Sequence, residues 1–419
     1  MTKFATLDQE PILSAKLKVL GVGGGGCNAI ESMMNRGLSG VEYVAINTDA
    51  QVLKTSHADH KIQIGTNLTK GLGAGADPNV GKKALEEDRE KIQKILEGSD
   101  MVFITAGMGG GTGTGAAPII ASIAKSVGAL VIGIVTKPFK WEGKKRMLNA
   151  ENGISEMRQY VDSLIVIPNE RILNVLDDSA GAFKAFDKPN EVLHEATRGI
   201  ADIITIKGQI NVDFADVRSV MNHSGEALMG CGIASGENRA EEAAQKAISS
   251  PLLEGISIKG AKNILLNVTA SSNLTMKEII DGNQVIHDAA GEESNIIFGL
   301  VQKEEMNEYV SYTVIATGFN ASSGFGPTTK SNETEKSKNS KSESKDSFLP
   351  FILDDFKFDA DADFEVPTYK RMNKNFDILS ENDKTHNAFN FESRIEKPVK
   401  KIDDEKDSDS SDFLRMMMD

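Results

Sequence analysis

Between residues 17 and 167 the chain alternates short, mainly apolar runs with longer stretches whose apolar positions recur every three or four residues. The runs at 17–20, 41–46, 101–105, 130–135 and 164–167 each end in glycine or polar residues and read as buried strands. Stretches such as 80–96 and 144–160 read as helices between them. Short, largely apolar strands alternating with helices predict a parallel sheet covered by helices on both faces, an α/β fold. Ligands of such sheets bind beyond the carboxyl ends of the strands. Here those ends coincide with glycine-rich and Asn/Asp-rich turns.

A long helical stretch follows at 190–206, with Val192, Leu193, Ala196, Ile200, Ile203 and Ile204 on one face. Beyond it, strand-like runs at 263–269, 296–301 and 310–317 alternate with helical ones at 239–248 and 276–289, which predicts a second, smaller α/β unit. After Phe319 the composition turns to Ser, Asn, Lys, Glu and Thr, too polar to offset the entropy of ordering. The organisation expected is an extension at 1–14, a first domain at 15–186, a connecting helix at 187–210, a second domain at 211–319, a disordered linker at 320–406 and a terminal peptide at 407–419. Within the linker, Phe348, Phe351, Phe356, Phe358 and Phe364 stand among aspartates, which suits either a sticky unfolded segment or a partner-binding motif.

Composition narrows the function. A net charge of -14 over 419 residues disfavours phosphate-backbone binding, so nucleic acid is not an expected partner. The two cysteines, Cys27 and Cys231, have no zinc or disulfide spacing, which fits a reducing compartment. Neither a signal peptide nor an apolar run of membrane-spanning length is expected.

Two glycine clusters carry the chemistry. Gly109-Gly110-Gly111-Thr112-Gly113-Thr114-Gly115 lies between the 101–105 strand and a helical stretch at 116–126. Glycines let backbone N–H groups approach phosphate oxygens, and a following helix offers its unpaired N–H groups and positive dipole end. The second cluster, Gly21-Val22-Gly23-Gly24-Gly25-Gly26, follows the first strand and has the form G-x-G-x-x-G, with Asp49 downstream. By itself it equally suits a dinucleotide site and an NAD-dependent oxidoreductase. Two phosphate loops in one sheet argue instead for a mononucleotide with a long phosphate tail. Neither cluster has the G-x-x-x-x-G-K-[ST] form, so the phosphates must be held mainly by backbone.

The 109–115 loop, together with Ala45-Ile46-Asn47-Thr48-Asp49, the glycines of 71–75, Thr136-Lys137-Pro138-Phe139, Glu142 through Arg146, and 211–216, resembles the tubulin/FtsZ superfamily, most closely its bacterial FtsZ branch, over residues 16–319. The resemblance implies GTP and GDP as ligands. It places Gly23, Gly24 and Asn28 near the diphosphate and Gly73, Ala74 and Gly75 near the γ-phosphate, and it counts Gly25, Asn47 and the 109–115 loop among the nucleotide-binding residues. Glu142 and Arg146 would hold the ribose and phosphate side, and Asn169, Phe186 and Asn190 would enclose and read guanine. Read without the family, Glu142 and Arg146 equally form an i,i+4 helix pair, and Phe186 a core aromatic. Mg²⁺ bridging the β- and γ-phosphates is implied, with K⁺ as a further candidate cation.

Asp213 and Asp216, three apart at the start of a helical stretch, suit a helix cap and its dipole. The resemblance gives them another role. It places this acidic loop, with Asn211 in support, on the opposite end of the subunit from the nucleotide, so that it orients water on a neighbour's GTP. Head-to-tail contacts of that kind give an open filament. The implied protein is a cytoplasmic GTPase activated by self-assembly, forming a division ring at the future septum on the inner face of the cell membrane. Its homopolymer would meet membrane-tethering adaptors and division regulators through Asp412, Phe413, Leu414 and Arg415, with no membrane insertion of its own. This peptide departs from the family form in lacking a proline ahead of Phe413 and in ending Met416-Met417-Met418. A tubulin-like structural protein without useful hydrolysis is the remaining alternative.

Overall fold

The computed structural model describes residues 15–319 apart from 174–180, 207, 209, 211, 251, 252 and 254–257. The expected extension at 1–14, the linker at 320–406 with its Phe-rich segment, the peptide at 407–419 and Asn211 lie outside the described residues.

The chain runs β1 (Leu17–Val22), α1 (Gly23–Asn35), β2 (Glu42–Asn47), α2 (Ala50–Thr55), β3 (His60–Gln63), α3 (Thr66–Thr69), α4 (Pro78–Glu87), α5 (Arg89–Leu96), β4 (Met101–Gly107), α6 (Thr112–Ser126) and β5 (Leu130–Lys137). It continues with α7 (Lys144–Met157), β6 (Ser163–Pro168), α8 (Asn169–Leu173), α9 (Ala182–Thr205), α10 (Phe214–Met221), β7 (Gly225–Ser235), α11 (Arg239–Ile248), β8 (Asn263–Ala270), α12 (Met276–Ala290), β9 (Asn295–Gln302) and β10 (Tyr309–Thr317).

The strands lie in the order β3-β2-β1-β4-β5-β6-β7-β10-β8-β9. From β3 to β7 every pairing is parallel. β10 runs antiparallel to both β7 and β8, and β8 pairs with β9 in parallel, so the second half is mixed.

β1, β2, β4, β5 and β6 are buried on both faces, in keeping with their largely apolar sequence. Leu17 and Val19 of β1, with Met101 and Phe103 of β4, pack toward α1 and α9. Leu20, Val22, Val102 and Ile104 pack toward α4, α5 and α6. The connecting helix expected over 187–210 runs as α9 from Ala182 to Thr205, with Pro189 inside it. Its Leu193, Ala196, Ile200 and Ile203 share one core with Ile132 and Ile134 of β5 and with Leu265 and Ile315 of β8 and β10. α9 is therefore held between the two halves of the sheet. α11 and α12 cover the other face of the second half through Ala243, Ala247 and Ile286.

The helix expected over 80–96 is two helices. They break at Asp88, whose carboxylate turns inward to accept the Gly65 N–H at 2.8 Å and to meet Lys91 Nζ at 2.6 Å.

Candidate functional site

Strand order reverses direction at β1, which is flanked by β2 on one side and β4 on the other. Crossovers leave this point in opposite directions and open a crevice at the carboxyl ends of the two strands. Both glycine clusters lie in it. α1 begins at Gly23, immediately after β1, and α6 begins at Thr112, four residues after Met108 leaves β4. Two helix N-termini thus converge, each with unpaired N–H groups and the positive end of its dipole.

Their approach leaves no room for a side chain at Gly23. Its φ is +72°, and a methyl group there would lie 2.7 Å from the Gly113 amide nitrogen. The loops carry no lysine, so any anion would be held by neutral dipoles. Cys27, under the first turn of α1, adds no opposing charge: burial pushes its thiol up to about 12.

The two threonines of the loop, Thr112 and Thr114, brace it. Thr114 Oγ1 accepts the Gly109 N–H at 2.8 Å, and Thr112 Oγ1 lies 2.7 Å from Thr48 Oγ1. Thr48 is a member of this site that the sequence reading left unassigned. Its position one residue beyond the carboxyl end of β2 was the available signal. Asn47, the last residue of β2, is 1% exposed, and its Nδ2 has no hydrogen-bond partner among the described residues. Asp49 caps α2 through the Gln51 N–H at 2.7 Å.

The other expected residues gather around the same end of the sheet. Gly73, Ala74 and Gly75 lie on the turn between α3 and α4, and a methyl group on Gly111 would be 2.7 Å from the Ala74 Cβ. Gly24 is half-buried, and Gly25 and Asn28 are exposed on the first turns of α1. Gly110 and Gly115 are buried in the loop and the start of α6.

Glu142 and Arg146 form the i,i+4 pair at 3.0 Å, while Glu142 Oε1 also accepts the Phe139 N–H at 2.8 Å. Both line a cleft of about 690 Å³ that reaches Gly75, Gly109 and Gly115. Asn169, directly after β6, buries an Oδ1 with no partner among the described residues. Phe186, 39% exposed near the start of α9, meets Phe139 and Trp141 edge-on at 5.9 and 6.1 Å. Asn190 follows one helical turn later and is half-buried.

These observations fit a nucleotide. The helix N-termini suit its phosphates, and the two partnerless amide atoms, one donor and one acceptor, suit polar ligand groups.

Asp213 and Asp216 are not part of this assembly. α9 leads the chain away from it: Phe186 sits by Phe139, beyond the carboxyl end of β5, whereas Thr205 abuts Gly40, which precedes β2. The helix has 24 residues, about 36 Å along its axis. α10 then follows at the end of the sheet where strands begin, with Arg218 Nη2 donating to the Gly128 carbonyl 3.4 Å away, just ahead of β5. Asp213 caps α10 by accepting the Asp216 N–H at 2.8 Å, and both side chains are exposed. The structure therefore brings together the residues expected around the nucleotide and sets the acidic pair at the opposite end of the sheet.

Comparison with known proteins bears on the fold and the family. The family model of the tubulin/FtsZ GTPase domain matches residues 16–177, and that of the FtsZ C-terminal domain matches residues 225–320. An FtsZ dimer from M. jannaschii is 43% identical, with a TM-score of 0.70 over 74% of this chain and 89% of that one. CetZ1 from Haloferax volcanii is 24% identical, with a TM-score of 0.63 over 73% of this chain and 95% of its own. CetZ2 from the same organism, solved as a GTPγS-bound protofilament, is 19% identical, with a TM-score of 0.61 over 73% and 94%. For both CetZ proteins the likeness is one of fold.

Proposed function

The chain belongs to the tubulin/FtsZ family, and from that premise we propose that it is a GTP-hydrolysing cytoskeletal protein whose subunits join head to tail into filaments. The observation that carries this reading is the separation of the acidic pair from the glycine crevice. With α9 spanning about 36 Å between the two ends, no subunit can apply Asp213 or Asp216 to its own phosphates. A second subunit stacked on the first can. Such a contact repeats without closing, and the product is an open filament.

In this reading Gly23, Gly24, Gly25 and Asn28 hold the diphosphate with the 109–115 loop. Asn47 offers its spare amide hydrogens beside them. Gly73, Ala74 and Gly75 border the γ-phosphate, Arg146 and Glu142 hold the ribose side, and Asn169, Phe186 and Asn190 receive guanine. The neighbouring subunit's Asp216 orients the attacking water, while its Asp213, tied to the Asp216 N–H, fixes the loop, with Asn211 in support. Catalysis by placement suits phosphoryl transfer, in which positioning and charge stabilisation do most of the work.

Among the described residues no cluster of three or more His, Cys, Asp or Glu could hold a metal. Mg²⁺ would accordingly take its ligands chiefly from phosphate oxygens and supply charge neutralisation there, and K⁺ is a further candidate. Residues 407–419 would dock on membrane-tethering adaptors and bring the filament to the division ring at the inner face of the cell membrane. No helix among the described residues is long and apolar enough to cross a membrane.

Sedimentation with GTP against GDP, with phosphate release followed in parallel, tests the proposal. Pelleting and release with GTP alone are expected. Equal pelleting in both nucleotides, or assembly without release, would overturn it.

A further inference from the structure

Asp162 is a buried carboxylate that the nucleotide site does not use. It immediately precedes β6, is 1% exposed, and collects donors from three directions. Its Oδ2 accepts the Val131 N–H of β5 at 3.0 Å, and its Oδ1 receives the Lys125 ammonium from the last turn of α6. The remaining partners all belong to the turn that leaves α10. The His223 N–H donates to Oδ1 at 3.3 Å, with the imidazole Nδ1 3.5 Å from the same oxygen. The Ser224 hydroxyl and the Gly225 N–H donate to the Asp162 carbonyl at 3.4 and 3.1 Å.

One residue therefore grips three successive positions of that turn. His223 is held at a φ of +54°, in the left-handed region that non-glycine residues seldom occupy unless their surroundings impose it. Asn222 reinforces it through Oδ1, 2.5 Å from the His223 Nδ1.

The consequence lies at the other end of α10. This helix has eight residues, about 12 Å, too few to be stable or fixed in space by itself. Val217, Val220 and Met221 seat one face in the core, and Thr317 Oγ1 bonds the Val220 carbonyl at 3.2 Å. Asp162 fixes the exit, and with it the tilt and axial position of the helix whose first residues present Asp213 and Asp216.

We infer that Asp162 is a positioning residue for the acidic pair, setting where those carboxylates stand against the nucleotide of the next subunit. This rests on the reading that the pair acts on a neighbour's GTP. Asp162 touches no substrate. Its effect on hydrolysis runs through α10.

The test uses the full chain with Asp162→Asn, which keeps the volume and an acceptor oxygen, and His223→Gly, which keeps the N–H and the φ while removing the ring and loosening the turn. Both should bind GTP and pellet as wild type does. Turnover per pelleted subunit should fall roughly tenfold in the first and roughly threefold in the second, in kcat with KM for GTP unchanged, because small misplacements of a catalytic group cost rate rather than binding. A general structural defect would instead lower nucleotide affinity and assembly together. Wild-type turnover in assembled Asp162→Asn overturns the inference. If that variant does not fold, His223→Gly decides, and wild-type turnover there overturns it. Asp216→Ala, measured alongside, separates the two failures. Full activity in that variant sinks the shared-site reading itself, whereas lost activity there with full activity in the other two sinks only the role of Asp162.

Discussion

A methyl group on Gly23 would stand 2.7 Å from the Gly113 amide nitrogen, so the first residue of α1 and the second of α6 are as close as two backbones can be with a ligand crevice above them. That contact joins the two glycine clusters into one site. It also makes Gly23 the position where the smallest addition does the most damage.

Gly23→Ala should weaken GTP binding by roughly tenfold or more, since the substitution meets both the clash and a left-handed φ that costs an L-residue about 1–2 kcal/mol. Titration with a fluorescent GTP analogue measures this. Unchanged affinity would mean that the crevice between β1 and β4 is not where the phosphates sit.

Asp216→Ala should leave that affinity within about twofold of wild type while lowering turnover by roughly a hundredfold, the usual scale for loss of a group that orients or deprotonates water. The substitution removes an exposed carboxylate and keeps the backbone N–H that Asp213 caps. Folding should be spared. Phosphate release measured on pelleted protein checks the prediction, and wild-type release would remove the acidic pair from the mechanism.

The chain has one tryptophan, Trp141, 61% exposed and 6.1 Å from the Phe186 ring. If Phe186 borders the base, adding GTP should change Trp141 emission, and Phe186→Ala should abolish most of that change while weakening GTP more than it weakens triphosphate alone. Identical emission responses in the two proteins would detach Phe186 from the base.

The buried His194 of α9 makes stability fall in mild acid. It is 2% exposed, its Nδ1 has no partner among the described residues, and burial beside Arg198 and Arg36 pulls the imidazole from 6.5 down to about 4, against the opposing pull of Asp202. Between those two values the unfolded chain binds a proton that the folded chain refuses, so stability drops as pH falls through 6.5 and the loss is complete near 4. The full effect is on the order of 3 kcal/mol. Urea unfolding at about pH 7.5 and about pH 5 should show wild type losing more stability than His194→Gln. Equal losses would contradict the assignment.

Much of this was legible in the sequence because the strands around the crevice are buried on both faces. β1, β2, β4, β5 and β6 are largely apolar runs, and the glycine clusters fall at the ends of two of them. β3 left little trace: His60, Lys61, Ile62 and Gln63 form an edge strand with one apolar residue. β7 was hidden by its glycines. A methyl group at Gly230 would lie 2.0 Å from the Ala247 carbonyl oxygen, so the strand is glycine-rich where α11 presses on it, and glycines read as turns. The break at Asp88 was equally hidden, since the partner that turns its carboxylate inward, Gly65, is 23 residues away.

The site followed the same division. Its glycines announce themselves through local composition, but the pairing of Thr48 with Thr112 joins residues 64 apart and depends on β2 and α6 being brought together. The acidic pair was readable locally only as a helix cap, and that much is present in the Asp213 contact with the Asp216 N–H. Its distance from the glycine crevice depends on the path of α9, which a local pattern does not contain.

The central claim is that each active site is built from two subunits, and the most direct test is GTP turnover per subunit as a function of protein concentration. The account predicts negligible turnover below the concentration at which protein begins to pellet with GTP, rising steeply above it to a plateau. A specific rate that is the same at every concentration, including those at which nothing pellets, would contradict it.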